Sequence, residues 1–327
     1  MQFRSTNAMV VLPKGRQLGL YRWISNDLAY LAPLDADVDA IVHIDQERSV
    51  ISALTQAGKK VKTWTLAGEK LEPVRSGPHL PKGCRGHCVN VIGSQVYVGG
   101  RAKNDKRALL WRCTLGTPHA SWTQVAVPPP VCKSGKTVDA LFRDGNRLLA
   151  VDDLILPKWI LIYDARDPTK PNFQKAEKLR FHTTYEQTFC AAANSRWMAL
   201  GSKGVNHGNV GYFLSLLDKK TLKERYLWRS SAKREDDKTP PLHDVSFGAD
   251  RLFVAGGSRG VGVVELSGRS RDKSAGGKEP ATLATLKYWK PASGAPVVGV
   301  KTVAGYNGCF AIVAEDDDTR QWEKVDG

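Results

Sequence analysis

Three aspartates, Asp39, Asp139 and Asp244, stand where three similar apolar segments begin. If those segments line a common channel, the carboxylates form part of a ring at one mouth, which attracts a cation or a basic peptide. A short Asp side chain at the start of a strand equally suits hydrogen bonds from the backbone amides of its own turn, and this plainer role is the one expected. His87 and His243 stand at the preceding register and, with Asp244, are of metal-ligating type. No spacing draws them together. Cys84 and Cys88 flank Arg85-Gly86-His87 as a C-x3-C pair with a histidine inside. Zinc would need a fourth ligand such as Cys132, and no second paired half occurs; no metal is assigned.

The other chemical pattern is cationic. The loop Arg101-Ala-Lys103-Asn-Asp-Lys106-Arg107 lies near Trp111, and Lys203 and Arg259 occupy like registers in other repeats. Basic loops beside exposed aromatics bind single-stranded nucleic acid by charge and stacking. Trp64, Trp111 and Trp159, however, fall in strands where burial is the ordinary fate of tryptophan. Lys plus Arg number 48 against 33 Asp plus Glu, a net charge of +15, which favours anionic partners. The excess reads as scattered, over Lys59-Lys60, Arg101 to Arg107, Lys219 to Arg225 and Arg269 onward.

Catalytic motifs are missing. The Gly-x-Ser-x-Gly match at Gly256-Gly-Ser258-Arg-Gly260 is not read as a nucleophile elbow, and there is no phosphate-binding Gly-x4-Gly-Lys-Ser/Thr loop and no His-Glu-x2-His. Gly256-Gly-Ser-Arg-Gly-Val-Gly joins two strands instead of opening a helix, so it lacks the helix N-terminus that binds phosphate. No catalytic residue and no cofactor are assigned. Cys113, Cys190 and Cys309 sit inside apolar strands as small hydrophobes, and the six cysteines are not spaced as a disulfide framework.

The elements that must position these groups are short strands. One apolar segment recurs: Gln95-Val-Tyr-Val-Gly-Gly, Arg147-Leu-Leu-Ala-Val-Asp, Arg196-Trp-Met-Ala-Leu-Gly, Arg251-Leu-Phe-Val-Ala-Gly and Cys309-Phe-Ala-Ile-Val-Ala, preceded by the degenerate Ser49-Val-Ile-Ser-Ala-Leu. Starts lie 46, 52, 49, 55 and 58 residues apart, the length of a four-stranded propeller blade with variable loops. The fold expected is all-β, a single β-propeller spanning 1–327. Seven blades close through the N- and C-terminal strands, with six as the alternative. Second strands read as buried apolar runs, and fourth strands as polar, lysine-rich edges. In the fifth blade the fourth strand is expected at Ala281-Thr-Leu-Ala-Thr-Leu. Two charged, Gly/Ser/Pro-rich inserts, 230–241 and 268–280, read as mobile loops.

Asp244-Val245, Leu252-Phe-Val-Ala-Gly-Gly and Gly260-Val-Gly-Val-Val-Glu resemble the LVIVD repeat. The third blade adds Trp159-Ile-Leu-Ile-Tyr-Asp164 and Ala165-Arg-Asp167-Pro168 with Lys170-Pro171, similar to that family's Ile-Asp-Val-Ser-Asp-Pro-x-x-Pro. The resemblance covers two blades well and implies a β-propeller that presents binding surfaces, without catalytic residues. WD-repeat proteins are a looser likeness, since the Gly-His…Trp-Asp signature is missing. No run approaches the about 18 apolar residues of a membrane helix, and the start carries no signal-like segment; a cytoplasmic location is expected. The function expected is a non-catalytic protein–protein interaction scaffold or adaptor whose partner has an acidic face. An RNA- or single-stranded-DNA-binding propeller is the alternative, and an enzyme built on the axial carboxylates the second.

Overall fold

Runs of valine, leucine, isoleucine and aromatic residues, each closed by a glycine or Asx turn, become strands throughout the chain. The computed structural model describes residues 9–14, 16–24, 26–37, 41–47, 50–55, 58–67, 70–74, 79–102, 107–115, 121–128, 137–153, 158–179, 185–206, 209–233, 242–266, 281–282, 287–303, 306–314 and 320–326. Among these residues there is no helix, so none is long and apolar enough to cross a membrane.

The strands form seven sheets among the described residues, built mostly from antiparallel neighbours in sequence order. The first holds β1 (Met9–Lys14), β2 (Gln17–Ile24) and β3 (Asp27–Asp37). The second holds β4 (Ile41–Glu47), β5 (Val50–Thr55), β6 (Lys60–Ala67) and β7 (Lys70–Val74). The third is β8 (Cys84–Ile92), β9 (Gln95–Ala102), β10 (Ala108–Thr114) and β11 (Thr123–Val125), and the fourth β12 (Thr137–Asp144), β13 (Arg147–Asp153), β14 (Trp159–Asp164) and β15 (Asn172–Lys178). The fifth contains β16 (Tyr185–Ala193), β17 (Trp197–Asn206), β18 (Asn209–Asp218) and β19 (Glu224–Lys233). The sixth has β20 (Asp244–Phe247), β21 (Arg251–Ala255), β22 (Val261–Glu265) and, after β23 (Ala281–Thr282), β24 (Lys287–Trp289). The last has β25 (Val297–Lys301), β26 (Cys309–Ala314) and β27 (Arg320–Val325). Seven sheets, not six, answer the blade count.

Turn chemistry explains the hairpins. Ile92 pairs with Gln95 and Asp144 with Arg147, leaving two-residue loops that begin at Gly93 and Gly145. Both glycines have positive φ, 59° and 56°, which such tight turns require. Second strands are buried along most of their length, as in β9, β21 and β26. The outer strand β15 mixes exposed polar residues with half-buried ones and has no buried position, which discourages edge-to-edge association.

Two expectations are corrected. Ala281-Thr282 is not the fourth strand of the sixth sheet: it pairs in parallel with Tyr226-Leu227 of β19, as a fifth strand on the preceding sheet. The fourth place is taken by Lys287–Trp289, where Trp289 lies opposite Val261. The insert foreseen at 230–241 is strand in its first part, since β18 pairs with β19 out to Asn209 opposite Lys233. The remainder of that insert, 234–241, and the whole of 268–280 lie outside the described residues.

Backbone proximity groups the chain into two compact units, residues 39–188 and residues 1–38 with 189–327. In the first, the turn between β5 and β6 reaches the start of β8, where the Gly58 carbonyl accepts the Gly86 amide at 2.8 Å. Gly58 has φ +83°, and a Cβ there would come within 2.1 Å of the Gly86 carbonyl oxygen. Gly58→Ala is therefore expected to cost about 2 kcal/mol, from left-handed strain and the lost close approach, measured as a lower urea midpoint. An unchanged midpoint would show that these two sheets do not meet there. In the second unit, the N- and C-terminal sheets share an aromatic cluster. Phe310 of β26 is fully buried between Trp23 of β2 and Trp322 of β27, with ring centroids 5.8 and 5.6 Å away.

Candidate functional site

In the unit 39–188 the first strands of three sheets carry a β-bulge near their beginning: Ile41/His43 in β4, Gly86/Cys88 in β8 and Val138/Ala140 in β12. A bulge sets one residue off the ladder and re-aims its side chain. In β8 that residue is His87, and in β12 it is Asp139. His87 Nδ1 lies 2.7 Å from Asp139 Oδ1, and the Thr137 hydroxyl donates to the same oxygen at 3.0 Å. The Asp139 side chain is 2% exposed and that of His87 17%, so this polar bridge between two sheets is largely dry. Asp139 Oδ2 and His87 Nε2 are buried without a hydrogen-bond partner.

Cys88, beside His87, turns inward. Its thiol donates to the Val138 carbonyl at 3.6 Å. Burial first, and the Asp139 charge second, push its pKa well up. Such a thiol is neither nucleophile nor ready metal ligand. Zinc at Cys84-x3-Cys88 thus finds His87 engaged with Asp139, while Cys132 lies outside the described residues. Among the described residues no group of three or more His, Cys, Asp and Glu side chains is placed to hold a metal ion.

The unit containing 189–327 repeats the arrangement with other chemistry. Asp244 of β20 accepts from its neighbour Val245 N at 2.9 Å, from Val300 N at 3.2 Å and from the Lys301 ammonium at 2.9 Å. Val300 and Lys301 belong to β25, so this carboxylate also ties one sheet to the next. The buried Cys190 of β16 lies within its field: burial pushes that thiol well up, the Asp244 charge adds to the rise, and Lys301 offsets part of it. Both described aspartates therefore do more than satisfy their own turns, because each bonds across to a neighbouring sheet. Asp39 lies outside the described residues. The backbone amide of His243 bonds the Ala255 carbonyl at 2.8 Å. His87 and His243 fall in different units.

The segment that resembles a propeller repeat is structural in the same sense. The Asp167 carboxylate accepts from the amide and hydroxyl of Thr169, at 2.9 and 2.6 Å, and these bonds lower its pKa, the hydroxyl bond most. The turn so fixed presents the Pro168 carbonyl, which accepts the Tyr97 hydroxyl from the third sheet. Burial pushes the Tyr97 pKa up to about 12, with Arg112 lowering it and Asp167 raising it by smaller amounts. An unfolded tyrosine ionises near 10.0. The stability this hydroxyl contributes is then complete below pH 10 and is lost as pH rises through about 12. Tyr97→Phe is expected to flatten the alkaline fall in unfolding free energy across that window. An unaltered pH profile would contradict the assignment.

The basic residues divide between the units. Arg101, next to the end of β9, lies directly opposite Arg85 of β8. Arg107 is exposed, and its carbonyl accepts the Ala102 amide at 3.1 Å. Lys103 and Lys106 lie outside the described residues. In the other unit Lys203 holds its ammonium 5.6 Å from the Tyr212 ring centroid, and Arg259 is exposed in the Gly256–Gly260 turn. Of the tryptophans expected to be buried, Trp64 is 4% and Trp111 2% exposed, and Trp159 is half-buried.

The charge is also not scattered. Residues 73–138, which include the whole third sheet, hold ten Lys and Arg against the single carboxylate of Asp105. A charge count in windows the length of one blade reveals this, whereas marking local lysine pairs does not.

No protein-family model matches the chain, and no curated protein matches it significantly. Among solved structures it is similar to the computationally designed Ika8 protein, with 12% identity and a TM-score of 0.53 over 99% of this chain and 82% of that one. Sqt1 from Saccharomyces cerevisiae aligns at 9% identity and a TM-score of 0.48, over 99% of this chain and 97% of that one. Sqt1 from Chaetomium thermophilum aligns at 12% and 0.49, over 91% and 72%. At such identities the likeness to the designed protein concerns the fold alone. The fold class is the all-β propeller, with seven antiparallel blades.

Proposed function

We propose that this propeller is a non-catalytic scaffold or adaptor that binds a protein partner with an acidic face, within a cytoplasmic assembly. One observation carries the reading: the candidate His, Asp and Cys side chains are spent inside the fold, while two neighbouring arginines meet no carboxylate among the described residues. His87, Asp139 and Asp244 bridge sheets, and Cys88 and Cys190 are buried thiols. Arg85 and Arg101, by contrast, meet no carboxylate among the described residues. The likeness of two blades to the LVIVD repeat suits a binding surface equally well. Burial of Trp64 and Trp111 takes these two rings out of any stacking platform for a single-stranded nucleic acid, which favours the protein partner. Tagged chain purified from its native host is expected to bring down a stoichiometric protein partner. Recovery of the chain alone, or turnover of a small molecule by the isolated chain, would overturn the reading.

A further inference from the structure

Among the described residues, the corner where the third sheet begins is short of anions. Arg85 and Arg101 occupy directly opposed positions on β8 and β9, so their side chains leave the same face, with Cβ atoms about 5 Å apart as in any such pair. Like charges in that relation repel and destabilise the pairing, and neither meets a carboxylate among the described residues. The strands cannot splay to relieve them. Gly100 lies so close to β8 that a Cβ on it would fall 2.0 Å from the Arg85 carbonyl oxygen. Two more cations border the pair. Exposed Lys82 lies in the turn closed by the Cys84 amide on the Pro81 carbonyl at 3.0 Å. Exposed Lys59 follows Gly58, whose carbonyl holds the Gly86 amide, and its own carbonyl accepts Leu80 N at 2.9 Å. Two sheets of one unit thus bring four cations to a single corner, and three of them, Lys82, Arg85 and Arg101, belong to the stretch 73–138 where ten Lys and Arg face one carboxylate.

The geometry points to a docking site for an extended acidic peptide segment, its Asp or Glu side chains taken by the Arg85 and Arg101 guanidinium forks, with Lys59 and Lys82 at the rim. This rests on the scaffold reading above and gives it a surface. Guanidinium forks grip carboxylates with two parallel hydrogen bonds. Arginine at the centre with lysine outside is the ordinary composition of a protein-binding patch. In an extended strand alternate residues lie about 6.7 Å apart on one face, so two acidic residues at that interval reach the two opposed arginines. Phosphates would satisfy the same forks. The buried tryptophans leave no base-stacking surface among Trp64 and Trp111, which favours the peptide.

Fluorescence anisotropy at physiological salt tests the site with two labelled probes, a peptide of alternating Glu and Ser and an oligouridine of matched charge. The full chain is expected to bind the peptide, and Arg85→Ala with Arg101→Ala to raise its Kd about tenfold or more. Removing two exposed cations elsewhere, Lys287→Ala with Lys290→Ala, is expected to change it less than about twofold, since distant surface charge is screened. Arg85→Lys with Arg101→Lys, which keeps charge and fold but removes the forks, is expected to fall between them. Equal losses from the two alanine pairs, or preference for the oligouridine, would overturn the proposal. A host complex that survives Arg85→Ala with Arg101→Ala would also reject this surface while leaving the scaffold reading standing. If the host yields no complex, that reading fails, and peptide binding lost with the two arginines would still establish the site.

Discussion

His87→Ala is expected to destabilise the protein by about 3–5 kcal/mol at neutral pH. The substitution removes the imidazole that donates to Asp139 Oδ1 and leaves a carboxylate that is 2% exposed with Thr137 as its remaining donor. Its other oxygen already lacks a partner. A carboxylate left with so few donors in a poorly solvating interior costs folding free energy. Urea unfolding of the full chain measures the loss. The diagnostic is the double substitution. With Asp139→Ala added, the buried charge is gone, and part of the deficit is expected to return, a coupling of more than about 1 kcal/mol in the cycle. Strictly additive losses would mean that the 2.7 Å pair carries no energy of its own. Asp244→Ala is a useful contrast. Its carboxylate is 22% exposed and its partner Lys301 35%, so solvent screens the pair and the cost is expected to be smaller.

Why this bridge escaped the sequence while the strands did not is a matter of what period-two alternation encodes. Alternation and turn residues act within one hairpin: Val96-Tyr-Val-Gly-Gly announces a buried strand, and Gly93 and Gly145 announce the turns beside it. A bulge breaks the alternation by one residue, and nothing local declares it. Read as an unbroken strand, Arg85-Gly-His87-Cys88 puts His87 in the ladder and invites a zinc motif with its own neighbours. In the structure the bulge at Gly86/Cys88 aims it instead at the bulge at Val138/Ala140, about one blade later in sequence. The aspartate at that register was legible; its cross-sheet partner was not. Strand neighbours at the ends of blades fail for a similar reason. Ala281-Thr-Leu-Ala-Thr-Leu has ideal strand composition, but composition cannot say which open edge a strand joins, and Ala281-Thr282 joins β19 of the preceding sheet. The opposed arginines needed register as well. Arg85 and Arg101 are 16 residues apart in the chain and become a pair only when β8 folds onto β9.

The second large effect expected is at Phe310, where Phe310→Ala should cost about 3–5 kcal/mol. The ring is fully buried and lies edge-on to Trp322, 5.6 Å away on its own sheet, and to Trp23, 5.8 Å away on the N-terminal sheet. Tyr306 tilts against it at 5.3 Å, and Leu12 and Val10 of β1 complete the cluster. Truncation leaves a void among aromatic neighbours, whose rigid rings do not collapse into it readily, so transfer and cavity losses add. The consequence extends beyond stability. Among the described residues the N-terminal sheet has three strands, and the C-terminal sheet has three; this cluster packs them together. Loosening it is expected to release β1 and β2 before the rest of the unit opens, through a sub-global opening. Amide exchange in β1 and β2 should therefore accelerate more in Phe310→Ala than exchange in β20 and β21. Trp322→Ala, at a half-buried position, should do the same to a smaller extent. Uniform acceleration across all these strands would show that the aromatic cluster supports the unit as a whole without joining the chain's two ends in particular.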